Sequence, residues 1–175
     1  MKKIVSALVI GLGLYSAGAM AADGTITING NIVANTCTIT GTSGKNVTVT
    51  LPTVGTAALA TAGQTAGATP FAISLSSCPA GLNKAQTRFE VGPTVDPATG
   101  NLLNSTASGS ATNVEVQLLN NTFQAINVTT NTNSQLVPIS SGAATMNYYA
   151  QYIATGGAST AGTVSTSVQY SMTYQ

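Results

Sequence analysis

Apolar and polar residues alternate in short runs along most of this chain, and no stretch keeps a sustained helical period. From Thr25 to Val33 the order Thr-Ile-Thr-Ile-Asn-Gly-Asn-Ile-Val places Ile26, Ile28, Gly30 and Ile32 on one face of an extended chain. Val47 and Val49 alternate with Thr48 and Thr50, and Pro52 closes that strand. Phe71, Ile73 and Leu75 lead into Cys78-Pro79. Phe89 with Val91, then Val114, Val116 and Leu118, then Ile126 with Val128 predict three more strands. Tyr148, Tyr152 and Ile153 belong to a longer one that stops at Gly156-Gly157. The clearest alternation is the last: Val164, Thr166, Val168, Tyr170, Met172 and Tyr174 share a face, and serine, glutamine and threonine fill the other. The stretches 53–69 and 97–113 read as loops rich in small residues, with a turn of helix expected at Ala57 to Ala62. The pattern predicts an all-β fold, one antiparallel β-sandwich of seven or more short strands.

The first residues do not belong to that pattern. Lys2 and Lys3 precede an apolar run from Ile4 to Tyr15, and Ala19-Met20-Ala21 supplies a small-x-small cleavage site. Residues 1–21 therefore read as an export signal, too short to span a bilayer comfortably. The remaining chain holds three cations, Lys45, Lys84 and Arg88, and four anions, Asp23, Glu90, Asp96 and Glu115. Charge this sparse leaves no footprint for nucleic acid or anionic lipid.

Cys37 and Cys78 are the two cysteines, and an even count behind an export signal reads as one disulfide. The chain has no histidine. That removes Ser-His and Cys-His pairs, and with no Cys-x-x-Cys it leaves no metal-ligand set and no implied cofactor. The four carboxylates are far apart in sequence, which gives a glycosidase pair little support. The chain reads as a non-enzyme.

Taken together, the residues resemble the pilins of chaperone–usher fimbriae, close to type 1 fimbrial subunits. Four features carry the resemblance: the alternating segment Asp23 to Ala34 with its glycine, running up to Cys37; the Cys37 to Cys78 spacing; Ala150-Gln-Tyr-Ile-Ala-Thr-Gly156; and a C-terminus with Gly162 fourteenth from the end and Tyr174 penultimate. The resemblance implies an immunoglobulin-like sandwich lacking its final strand, residues 35–175, preceded by a donor-strand extension, residues 22–34. It implies that Ile26, Ile28, Gly30 and Ile32 enter the groove of a neighbouring subunit. Gly162, Val164, Val168, Tyr170, Met172 and Tyr174 would border this chain's own groove and meet the chaperone. The implied partners are identical or related pilins, a periplasmic chaperone and an outer-membrane usher; the implied place is the cell-surface fimbria, where the polymer supports adhesion and biofilm formation. A minor tip adaptor, or a small secreted sugar-binding sandwich, stays open as the alternative.

Overall fold

The computed structural model describes residues 26–30, 32, 36–40 and 44–175. The expected export signal lies outside these residues. The chain divides into two units, Met1–Val33 and Ala34–Gln175. In the first, the described residues 26–30 and 32 are exposed and form no ladder.

The second unit is an antiparallel β-sandwich of the immunoglobulin-like kind. Among the described residues eight strands are formed: β1 (Thr38–Thr40), β2 (Thr65–Ser76), β3 (Lys84–Phe89), β4 (Leu102–Leu103), β5 (Val114–Leu119), β6 (Leu136–Pro138), β7 (Ala144–Ala154) and β8 (Tyr170–Tyr174). One sheet runs β1-β2-β7-β5-β4 and the other β6-β3-β8. The longest pairing, β2 with β7, aligns Phe71 with Tyr148 and Ile73 with Met146, so their inward side chains share one face. Gly67, with φ 71°, sits in the register shift between Ala66 and Thr69, a bulge that only glycine enters without strain.

Tyr148 is fully buried at the centre of the core. Phe89 meets it edge-on with ring centroids 5.3 Å apart, and Phe71 lies tilted at 5.5 Å. The two sheets thus lock through one aromatic cluster, with Met146 and Ile73 filling around it. Thr87, equally buried, points its hydroxyl at Met146 Sδ, 3.4 Å away. Cys37 and Cys78 are bonded, joining the chain before β1 to the chain after β2.

Several local expectations need correction. The stretch 53–69 is not all loop: β2 begins at Thr65, and the short helix is a 3-10 turn at Thr56–Leu59. The stretch 97–113 contains β4. The Phe89 strand runs from Lys84 and ends there, leaving Val91 exposed. Ile126 and Val128 are buried, but isolated bridges rather than a strand hold that segment. Residues 47–50 are extended without a ladder, and of the alternating run 164–174 only Tyr170–Tyr174 is paired. The strands β1 and β6 alternate exposed, half-buried, exposed, but at three residues each they hold one inward position and so give no repeat to read.

Candidate functional site

Between the sheets lies an open groove of about 920 Å³. Its floor is apolar: Phe71 and Ile73 from β2, Val116 and Leu118 from β5, Ala150 and Tyr152 from β7. Residues 45–51 form one rim and residues 164–170 the other. Each rim alternates. Val47, Val49 and Leu51 are half-buried between exposed polar residues, as are Val164, Thr166 and Val168.

Backbone hydrogen bonding gives the second rim a direction. Thr163 donates its N–H to the Gly109 carbonyl at 2.9 Å and accepts from the Ala111 N–H at 2.9 Å. Ser165 donates to Asn104 Oδ1 at 2.8 Å and accepts from the Ser105 N–H at 3.1 Å. The Ser167 carbonyl accepts from Thr94 Oγ1 at 2.6 Å, and the Gln169 carbonyl from the Glu90 N–H at 2.8 Å. Each of these odd-numbered residues thus engages at least its carbonyl in a hydrogen bond on the side away from the groove. In an extended chain the even-numbered residues point the other way. Val164, Thr166 and Val168 make no backbone hydrogen bond among the described residues. Residues 46–51 make none either. Two unpaired edges therefore flank an apolar floor, and β8 is itself an edge strand, paired only with β3 among the described residues.

Both ends of the groove are fixed. At one, Tyr170 donates its phenol to the Lys45 carbonyl at 2.7 Å and ties rim to rim. Burial pushes the Tyr170 phenol up from its ordinary value, which keeps it a neutral donor. At the other, Asn104 Nδ2 bridges the carbonyls of Ala111 (2.8 Å) and Thr163 (3.1 Å). Gly162 lies against that loop so closely that a Cβ there would sit 2.3 Å from Ala111 N. The requirement at Gly162 is space, not turn geometry.

The arrangement is one of backbone edges around an apolar floor. It presents free N–H and C=O groups on two sides of a hydrophobic trough, which is what an added extended segment needs. Of the C-terminal residues singled out in the sequence, Val164, Val168 and Tyr170 line the groove. Met172 and Tyr174 pack on the core further along β8. Gly162 is exposed and serves the groove only through the loop it packs on. Ile26, Ile28 and Ile32 are 89%, 88% and 98% exposed, and a Cβ at Gly30 would touch nothing within 4 Å. Sequence reading missed the facing rim at 45–51 as part of a site, and the Asn104 bracket altogether. The Val47-Val49-Leu51 alternation signalled the first; nothing local signals the second.

A sandwich carrying an open trough of this shape defines a subunit architecture, and comparison with known proteins gives it a family. Residues 51–175 match the FimA family, described as type-1 fimbrial protein, A. The chain belongs to that family and is a fimbrial subunit. It is 48% identical over 163 residues to the major fimbrial subunit SMF-1 of Stenotrophomonas maltophilia, covering 89% of this chain and 95% of that one. It is 43% identical over 183 residues to the F17 fimbrial protein of Escherichia coli, covering all of both. Among solved structures, the P pilus rod subunit PapA superposes with a TM-score of 0.62 over 81% of this chain and 100% of its own, at 18% identity, which speaks for the fold alone. The Burkholderia pseudomallei type I fimbria protein BPSL1626 superposes with a TM-score of 0.56 over 80% of this chain and 90% of its own, at 29% identity.

Proposed function

We propose that this chain is a structural pilin that polymerises by strand donation. Residues 22–34 of one subunit lie between residues 45–51 and 164–170 of the next, and Ile26, Ile28 and Ile32 bury themselves on the apolar floor. The observation that carries this reading is the pair of unpaired backbone edges flanking that floor. Burying three isoleucines at about 1.5–3 kcal/mol each, with a double ladder of backbone bonds at about 0.5–1.5 kcal/mol each, makes a durable joint. An unfilled groove is an aggregation hazard, so a periplasmic chaperone covers it until an outer-membrane usher exchanges one strand for the next. The protein acts at the cell surface by assembly rather than catalysis, and the polymer supports adhesion and biofilm formation. The likeness to a relative named a major fimbrial subunit, 48% identical over 163 residues, favours a shaft subunit over a tip adaptor.

Appending a second copy of residues 23–34 after Gln175 through a short flexible linker tests this. Tethering raises the local strand concentration to roughly millimolar. With residues 22–34 deleted from the front, the product should be a soluble monomer that melts well above the same chain lacking the appended copy. Equal melting and an unchanged oligomeric state by size-exclusion chromatography would show that the groove takes no strand.

A further inference from the structure

Asn29 is the one asparagine in this sequence followed by glycine. Both residues are exposed, outside any ladder, and the space around Gly30 is open. Several asparagines of the sandwich are placed differently. The side chains of Asn101, Asn104, Asn113, Asn120 and Asn133 are held in hydrogen bonds, and each precedes a residue whose side chain shields its backbone nitrogen.

We propose that Asn29-Gly30 is a spontaneous modification site that limits how long an unassembled subunit remains a competent strand donor. The deprotonated backbone nitrogen of Gly30 attacks Cγ of Asn29. The new N–Cγ bond closes a five-membered succinimide, the Cγ–Nδ2 bond breaks, and the side-chain nitrogen leaves as ammonia with the proton that Gly30 gave up. Water then opens the ring. Cleavage at Cγ gives aspartate on a normal backbone, and cleavage at the α-carbonyl gives isoaspartate, with the chain rerouted through Cβ and Cγ. Nothing is oxidised or reduced, and water is the only co-reactant. Glycine favours the step because it has no Cβ to block the approach and its backbone reaches the required dihedrals freely.

The consequence rests on the strand-donor reading above. Isoaspartate adds a methylene to the backbone between Ile28 and Ile32. Side-chain orientation in a strand has a period of two residues, so an insertion there puts Ile32 out of phase with Ile26 and Ile28 and breaks the ladder at that point. It also adds a carboxylate where the segment from Gly24 to Cys37 carries no charge. Once seated, the strand's backbone is fixed by hydrogen bonds and the attack geometry is closed off, so assembly protects the site.

The experiment ages the mature chain at mildly alkaline pH, in parallel as dilute unassembled subunit and as filaments. The peptide ending at Lys45 is then read by tandem mass spectrometry, with isoaspartate detected by enzymatic methylation. Site-resolved fragments separate Asn29 from Asn31, Asn35 and the Asp23-Gly24 pair, which isomerises without a change in mass. In unassembled subunit, Asn29 should convert well ahead of Asn31 and Asn35, and filaments should keep it intact. Aged wild-type subunit should lose filament formation in proportion to the isoaspartate formed, while aged Asn29→Gln, whose longer side chain cyclises far more slowly, should polymerise as its own fresh preparation does, whatever that level is. Asn29 that converts no faster than its neighbours overturns the proposal. So does a fully converted subunit that polymerises like fresh material. A chain lacking residues 22–34 serves as the control: if it too polymerises, the strand-donor reading has fallen and this inference with it; if it does not, only the modification effect has failed.

Discussion

Glu115 illustrates how one residue carries a pH dependence invisible in its sequence neighbourhood. It stands on β5 with 5% of its surface exposed, accepting from Thr99 Oγ1 at 2.9 Å and Asn101 Nδ2 at 3.0 Å. Burial, helped by the nearby Asp96 carboxylate, pushes its carboxyl above the ordinary 4.5, while hydrogen bonds led by the Ala98 N–H hold Asp96 below 3.8. The two act in opposite senses. Between 4.5 and its raised folded value, Glu115 binds its proton more tightly in the folded chain, so its contribution to stability falls as pH rises through that window. Asp96 contributes stability that is present above 3.8 and lost as pH falls below it. Glu115→Gln keeps an acceptor for Thr99 and Asn101 and removes the titration. Its melting temperature relative to wild type should therefore climb between mildly acidic and neutral pH; a difference that is flat with pH would refute the assignment. Gly162 gives a second residue-scale test. A Cβ there meets the backbone of Ser110 and Ala111, which has no side-chain freedom with which to yield. Gly162→Ala should cost about 1–3 kcal/mol in denaturant unfolding.

At the scale of elements, the last eleven residues of alternation split into two kinds of backbone. Tyr170–Tyr174 pairs with Lys84–Phe89 along its length, whereas Val164–Gln169 has the same burial rhythm and no strand partner on its groove side among the described residues. Side-chain period was legible in the sequence because it follows from one inner and one outer face. Pairing was not, because it depends on which chain lies alongside. The same distinction explains Val47 and Val49, whose alternation is real although no ladder forms. Val168→Asp should cost the unfilled subunit only about 1 kcal/mol, since the side chain is half-buried against the core there. It should abolish filament formation, because an incoming strand would bury the charge without a partner. Normal filaments from Val168→Asp would mean that this rim borders no inserted strand.

At the scale of the whole molecule, the disulfide and the aromatic cluster hold together a sandwich with a trough along its middle. Cys37 and Cys78 are 41 residues apart, and closing such a loop restricts the unfolded chain by roughly 4 kcal/mol on the chain-entropy estimate. Cys37→Ser or Cys78→Ser should lower unfolding free energy by about 2–5 kcal/mol, measured on the unassembled subunit. The sequence by itself determined the all-β class, the disulfide partners and the isoleucine alternation ahead of Cys37, because two-residue periodicity, cysteine count and composition need no knowledge of what packs against what. Tertiary structure alone decided that residues 45–51 face residues 164–170 across an unfilled gap, that Asn104 and Gly162 brace one end of it, and that Glu115 is buried beside Asp96. These are contacts between segments as much as 125 residues apart, as in the bond from Tyr170 to Lys45. No periodicity within a strand encodes what lies across from it; that is fixed only when the two sheets close on one core.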